Sequence, residues 1–455
     1  MPQSPPLATY HPTVKVDGAV LPDAITQKLM GIEIDTTYNR PGVCLFRFNA
    51  DPNTEIPAAF ELGKAFEVSF GADSSAVKVF AGEITALEYD FVDQTSVFLV
   101  QAEDKFHRFF RGDKLKTHLK ATVSDVVGLI AQENGVTAKV ESTRSVLPFQ
   151  MRANVSDGAW LIERAGELNF HTGYIDDKLF FGKVGTGGSS NVTLTLGDKL
   201  MSFNARVTAN ATAKETSVRS WDVKQKKAIV AKATTFAGTK DSKVADAFKQ
   251  KPTVLLSRSD LGSPEEATAS AQAAMDRAFE TNRQAEGRCY GEPKLALDKT
   301  VTIAGVNQRF NGVYRMSRVR HTFSHEEGYM TEFSCRGVSD QSIVGLFSDT
   351  SLAAAGPDRS VFDGVTVGIV TDNKDPDELG RVKVKIPSLS EEVTTEWIRM
   401  CFPGSGGADH HGWYLLPEVN DEVLVAFEQG DVRRAYVLGG LLNGKDKPFY
   451  KNDKV

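Results

Sequence analysis

The sequence predicts a mainly β chain with a few helices (α+β), in which two similar small β-barrels precede a third compact β module. Three observations carry this prediction. Short β-branched and aromatic runs, bounded by Gly, Pro, Asn and Asp, recur along most of the 455 residues. Helical periodicity with start and stop signals is confined to a few stretches. A short motif in the first hundred residues returns, in degenerate form, far downstream.

The first barrel region is placed at residues 1–105. VKVDGAVLP reads as a hairpin turning at Asp17-Gly18, and GVCLFRFNA, AFEVSF, ITALEYDF and TSVFLVQA follow as strands. Residues 106–200 read as an inserted α+β unit. TVSDVVGLIAQENG opens on Thr and Ser, gathers Val126, Val127 and Ile130 on one side, and stops at Gly135. SDGAWLIERAGELN takes Ser156 as its N-cap and buries the face carrying Trp160, Leu161, Arg164, Ala165 and Leu168. Glu163 and Glu167 fall on what reads as its solvated side. GYIDDKLFFG turns at Asp176-Asp177.

The second barrel region spans 201–350 and contains a helix over 263–280. There Ser263 is the cap, Pro264 takes the first helical position and Glu266 completes a capping box. Its small-residue stripe of Ala267, Ala271, Ala274, Met275 and Ala278 suits close packing on a sheet. SLAAAGPDRS, at 351–360, reads as a linker. A compact all-β module occupies 361–448, and 449–455 follow it.

The repeat pairs two segments. Leu62-Gly63-Lys64 precedes FEVSF and then Phe80-Ala81-Gly82-Glu83-Ile84; Leu297-Asp298-Lys299 precedes VTIAG and then Phe310-Asn311-Gly312-Val313-Tyr314. Both continue into an alternating strand and a closing one. Phe80, Gly82, Phe310 and Gly312 are thereby assigned as structural barrel positions. Two such units per chain, in three chains, would match a six-fold ring.

Composition excludes several classes. A formal net charge of −6 argues against a dedicated nucleic-acid binder. No apolar run approaches the ~18 residues of a membrane-spanning helix, and MPQSPPLATYHP has neither the basic nor the apolar segment of a secretory leader. Synthesis in the cytoplasm is expected. Cys44, Cys289, Cys335 and Cys401 form no C-x-x-C, and read as buried thiols.

A search for catalytic or metal chemistry returns little. His321 and His325 share a strand-like segment, where four residues span roughly 13 Å, too far to share an ion. His410 and His411 are adjacent and point apart. Neither G-x-S-x-G nor G-x-x-x-x-G-K-[ST] occurs, and GKVGTGGSSN lacks the end and the helix of a phosphate loop. No catalytic residue, metal ligand or cofactor is assigned, and the chain is not expected to be an enzyme.

The last quarter carries a family resemblance. Asp372-Asn373, Asp375-Pro376, Leu379-Gly380-Arg381-Val382, Trp397, Leu416-Pro417-Glu418-Val419, Asp421-Glu422-Val423, Phe427, Gly430-Asp431 and Asn443-Gly444 stand in order within 361–448. This pattern closely resembles the OB-fold module of VgrG-like and phage baseplate hub-spike proteins of contractile injection systems. The residues so marked as structural are Asp372, Gly380, Arg381, Trp397, Pro417, Asp421, Glu422, Phe427, Gly430 and Asp431. The alternating strands RVKVKIP and EVLVAFEQG agree with a small barrel. Upstream, SDGAWLIERAGELNFHTGY, Ser220-Trp221-Asp222 and GVYRMSRVRHTFSHEEGYMTEFSCRG resemble the hub half of the same family, and the N-terminal segment looks most like the extracellular phage-tail-like type.

The resemblance implies two tube-like hub barrels plus an OB barrel, and a homotrimer matching a hexameric inner-tube protein to a three-fold piercing tip. It implies baseplate proteins and a PAAR-like tip protein or cargo as further partners, no nucleic acid, and contact with a target membrane only by mechanical puncture. The expected place of action is an assembled particle, extracellular after release. A β-helix needle, usual in the family, would begin about where KNDKV stands.

Overall fold

The computed structural model describes residues 11–50, 59–71, 76–92, 95–185, 190–209, 213–222, 227–236, 248, 250, 252–258, 261–280, 283–335, 364–387, 394–404, 411–431 and 433–448. The expected linker at 351–360, His410, and the segment 449–455 lie outside the described residues.

The first half supplies β1 (Pro12–Val16), β2 (Ala19–Val20), a one-turn helix α1 (Asp23–Thr26), β3 (Leu29–Thr37), β4 (Val43–Ala50), β5 (Ala65–Phe70), β6 (Val77–Val92) and β7 (Thr95–Glu103). A middle portion carries β8 (Lys114–Thr122), α2 (Val123–Glu133), β9 (Ala138–Val140), β10 (Val146–Val155), α3 (Asp157–Leu168), β11 (His171–Ile175) and β12 (Lys178–Gly182). Next come β13 (Thr193–Thr195), β14 (Leu200–Val207), β15 (Glu215–Asp222), β16 (Lys227–Ala233), β17 (Thr253–Ser257) and α4 (Pro264–Glu280). The second half closes with β18 (Arg283–Tyr290), β19 (Thr300–Ala304), β20 (Gly312–Arg315), β21 (Arg318–Ser324) and β22 (Gly328–Cys335). The C-terminal module holds β23 (Val365–Asp372), β24 (Lys383–Lys385), β25 (Arg399–Met400), β26 (Glu422–Phe427) and β27 (Ala435–Gly440).

Local chemistry sets the turns and caps. Asp17 and Gly18 both take positive φ between β1 and β2, as do Asp176 and Asp177 between β11 and β12, the backbone that twisted two-residue hairpins require. Thr122 and Asp125 close a reciprocal capping box on α2. Ser156 accepts from Ala159 N at 3.2 Å to start α3. On α4, Ser263 accepts from Glu266 N at 3.2 Å, and Glu266 reaches one residue further back, to Gly262 N at 2.9 Å. Ala267, Ala271 and Met275 are buried between α4 and the β16-β15-β17 sheet.

The two halves are not separate sheets. Their strands join in one 11-stranded sheet, ordered β14-β18-β22-β21-β3-β4-β7-β6-β5-β1-β2. This corrects the picture of two independent barrels: β21 and β3, nearly three hundred residues apart, pair directly from Arg318↔Thr37 to Ser324↔Gly31. Each half keeps its own core. One gathers Phe46, Phe48, Phe60, Phe66 and Phe98, the other Leu200, Cys289, Val301, Met316 and Phe333. The inserted unit has a third core around Phe106, Val126, Ile130, Trp160 and Phe181.

The same sheet shows the repeat in full. The order β3-β4-β7-β6 recurs as β14-β18-β22-β21. The bulge between Leu29 and Gly31 against β4 recurs between Leu200 and Ser202 against β18. At the start of each unit, Gly63 N donates to Ile84 O and Ile84 N to Lys64 O; correspondingly, Asp298 N donates to Met316 O and Met316 N to Lys299 O. Gly63 and Asp298 both hold positive φ. Ile84 therefore corresponds to Met316, and Phe80 to Gly312. The register is two residues away from the one that sets Phe80 against Phe310; a shift of two keeps every side chain on its face, so alternation alone cannot detect it. The chief difference is that β6 runs through with a bulge between Ile84 and Ala86, whereas its counterpart is broken into β20 and β21.

The C-terminal module is a five-stranded sheet, β24-β23-β26-β27-β25, around Val370, Val382, Val384, Ile398, Val423, Val425 and Val437.

Candidate functional site

In the C-terminal module, polar side chains from the marked motif fix the turns. Asp375 takes three backbone and two side-chain donors from the loop that follows it: Leu379 N at 2.9 Å, Asp377 N at 3.0 Å, Arg381 N at 3.2 Å, and Arg381 Nε and Nη2 at 2.9 and 2.6 Å. Arg381 also reaches Asp377 at 2.7 Å. Although burial works against it, this set of donors, led by Arg381, holds the Asp375 carboxyl far below the usual carboxylate range. Asp375 was seen only as a turn residue from sequence; its pairing with Arg381, six positions on, is the anchor of the loop. Gly380 holds positive φ there, with the Tyr414 ring 3.0 Å from where a Cβ would stand.

The remaining marked residues have structural partners. Asp372 accepts from Lys374 N at 2.9 Å, and Asn373 donates to Pro417 O at 3.1 Å. Asp421 accepts from Glu418 N at 2.8 Å, and Glu422 accepts from Asn443 at 3.0 Å. Trp397 lies under the Lys383 ammonium, 5.0 Å from its ring. Phe427 is in the core. Gly430 holds positive φ, and Asp431 accepts from Arg433 Nε at 3.0 Å and Nη2 at 2.8 Å.

Gly430, Asp431 and Arg433 face the inserted unit across a crevice also lined by Gln150, Trp160, Glu163 and Arg164. Here the structure corrects the sequence reading: Glu163 and Glu167 are not a solvated face. Their side chains are about as buried as Arg164, which donates to both, at 2.6 Å to Glu163 and 2.7 Å to Glu167. Arg258 and Arg433 each stand 3.5 Å from the same Glu167 oxygen. Burial pushes the Glu163 carboxyl up, against the pull of Arg164. Both acids thus share one guanidinium at a junction between the inserted unit and the C-terminal module. That arrangement positions domains; neither carboxylate is free for acid/base work. Part of the signal is local, since Arg164 sits between the two acids on α3, but the other cations at Glu167, Arg258 and Arg433, come from distant segments.

The histidines separate as expected for a strand. His321 is buried and accepts or donates with Tyr329, Thr331 and the Leu295 carbonyl, whereas His325 is exposed. Cys44, Cys289 and Cys335 are buried; Cys401 is exposed, contrary to the reading of all four as buried thiols. Among the described residues, no group of three or more His, Cys, Asp or Glu is gathered, and no helix is long and apolar enough to cross a membrane.

The barrel positions are placed unequally. Phe80 is buried in β6 opposite Val68. Gly82 is there because a Cβ would meet the Glu103 carbonyl oxygen at 2.2 Å. Phe310 lies in the turn before β20, and Gly312 opens that strand with φ +144° and open space around it.

Residues 7–325 match the family described as the Alg8 N-terminal domain. The chain belongs to that family. Residues 366–442 match a second description, the type VI secretion system/phage-baseplate injector OB domain, so the five-stranded C-terminal module is an OB domain. Among solved structures, the fold resembles an E. coli type VI secretion component described as similar to the T4 bacteriophage tail proteins gp27 and gp5. That match has TM-score 0.57 and 13% identity, over 94% of this chain and 99% of the other. A 43 kDa tail protein of prophage MuSo2 from Shewanella oneidensis matches with TM-score 0.53 and 13% identity, over 72% of this chain and 98% of the other. The Francisella PdpA-VgrG complex matches with TM-score 0.56 and 7% identity, over 98% of this chain and 73% of the other. At these identities the likeness is one of fold.

Proposed function

We propose that this chain is the structural central hub and spike of a contractile, phage-tail-like injection system, acting without catalysis. One observation carries the reading: a four-stranded unit occurs twice in the same sheet, in the same order and with the same bulge, ahead of an injector-type OB domain. Three copies would present six such units to a hexameric inner-tube protein while the OB domains continue on a three-fold axis toward the tip. The units are then the two tube-like barrel domains of the hub, closed in the assembly rather than within one chain.

The partners follow as the inner tube, baseplate proteins and a tip protein or cargo. The type VI secretion and phage baseplate settings share the architecture; the extracellular phage-tail-like setting is the one we favour. Nucleic acid is a poor partner, because Arg381 is held by Asp375 and Asp377 and Lys383 lies over Trp397. An envelope-degrading activity is disfavoured because Glu163 and Glu167 are both engaged by Arg164.

Light scattering or native mass spectrometry of the purified chain tests the reading. The expected mass is three times 49.6 kDa; a stable dimer would sink it.

A further inference from the structure

Strand alternation on β5 turns Phe66 and Val68 into the first core and leaves Ala65 and Glu67 on the opposite face. Glu83 and Ala81 of β6 stand across from them there. The inserted unit is attached to β6 at two places. His107 Nε2 and Arg108 Nε, on a 3-10 turn over Lys105–Phe110, each stand 3.0 Å from Glu83. Phe106 and Phe109 anchor that turn in the inserted unit's own core. At the turn between β11 and β12, Asp177 pairs with Lys78 of β6 at 2.9 Å. Beside these attachments a cleft of 410 Å³ stays open. Ala65, Ala81, Gly82 and Gly135 leave it roomy, because none of them carries more than a methyl group.

Several polar groups lining this space leave their bonding capacity unused. Lys78 and Asp177 answer each other. Among the described residues, the Lys105 ammonium, the Tyr174 hydroxyl and the Glu67 carboxylate meet no hydrogen-bond or ion-pair partner, and all three line the cleft. Burial, with the Asp177 and Asp104 carboxyls nearby, pushes the Tyr174 hydroxyl up to about 12, so it stays a donor. We propose that the cleft binds a short extended segment of a partner polypeptide by one carboxylate side chain, which Lys105 and Tyr174 take, while Glu67 accepts from a donor of the same segment.

Charge decides the anchor. Lys105 and Tyr174 are both donors and both half-buried, and a hydrogen bond from an ammonium to a carboxylate is roughly twice as strong as a neutral one. The form of the cleft decides the class of ligand. A small-molecule site encloses its ligand in mainly apolar walls, whereas Lys78, Gly135 and Asp177 lie exposed at this rim, so a chain can enter and leave. Nucleic acid is refused, because Glu67 and Asp177 line the same space and offset the two lysines that a phosphate backbone would need. The two attachments set the walls before anything binds, so the cost of ordering falls on the incoming segment alone. This site goes beyond the hub reading and does not depend on how many copies assemble.

A random-sequence peptide library, selected on the immobilised full chain, tests the proposal. Peptides carrying Asp or Glu should be enriched, and a synthetic copy of one is then titrated against variants. Lys105→Glu should weaken it by about tenfold or more, and Tyr174→Phe by a few-fold. Ala81→Leu, which fills the cleft, should abolish binding, whereas Lys114→Glu, outside it on β8, should leave binding unchanged. The informative result is a reversal: the Lys105→Glu chain should bind the same peptide with Lys in place of its acid better than the original, which a merely misfolded variant could not do. Failure to enrich any peptide, enriched peptides without a carboxylate, or binding that survives both Lys105→Glu and Ala81→Leu would overturn the site. The solution mass of the same samples reports separately on the hub reading, so either can fail alone.

Discussion

Acid should destabilise this protein through His321, and the structure sets the window. The ring is fully buried. Its Nε2 stands 3.1 Å from the Leu295 carbonyl and so carries the proton, leaving Nδ1 to accept from Tyr329 Oη at 2.9 Å or Thr331 Oγ1 at 3.1 Å. The neutral ring is satisfied, and burial pushes its pKa down to about 4 from the ordinary 6.5. Below pH 6.5 the unfolded chain takes up a proton that the folded chain refuses until about pH 4, so stability falls as pH drops through that window and levels off beneath it. The shift corresponds to about 3 kcal/mol at most, with a slope of ~1.4 kcal/mol per pH unit. Denaturant unfolding of wild type and His321→Gln between pH 7.5 and 4 measures it: the variant starts less stable but loses one proton's worth of slope. Retention of the full slope by the variant, or an NMR titration placing His321 near 6.5, would refute the reasoning. His171, also pushed down to about 4 by burial, supplies a second and separable contribution.

Gly82→Ala should destabilise by about 1–3 kcal/mol, since the new Cβ would meet the Glu103 backbone and not a side chain that can turn away. Gly128→Ala, in open space on α2, should stabilise by about 1 kcal/mol; matched thermal melts compare the two. Thr122→Ala removes the α2 capping box and should cost about 1 kcal/mol in the same assay. Asp375→Asn loses the charge that organises the loop to Arg381, and hydrogen exchange over 373–381 should rise while the remainder of the OB core stays protected. In the unaltered protein that loop should resist acid well below the usual carboxylate range, because Asp375 stays ionised there.

Much of the architecture was legible in local sequence. Asp17-Gly18 and Asp176-Asp177 dictated hairpins because tight two-residue turns need positive φ. Thr122, Ser156 and Ser263 announced helices because only short polar side chains reach back to the first free amides. The OB domain was readable because its turns depend on residues with few substitutes: Gly380 and Gly430 at positive φ, Asp372 and Asp421 bonding the backbone beside them. The repeat was visible too, but its register was not, since a two-residue slip leaves the pattern of faces unchanged.

What sequence could not supply depends on contacts between distant segments. Nothing near Arg318 or Asp35 says that β21 and β3 adjoin and fuse two barrels' worth of strands into one sheet. Glu163 and Glu167 have the spacing of an exposed helix face, yet Arg258 and Arg433 arrive from other units and make that face a junction. Cys401 stands between apolar Met400 and Phe402 much as the buried Cys44 stands between Val43 and Leu45, and differs from it in what fails to cover it. Periodicity and turn chemistry act over a few residues and so write the elements into the sequence; the partner across a sheet edge or a domain boundary is selected by shape and charge that exist only once the chain has folded.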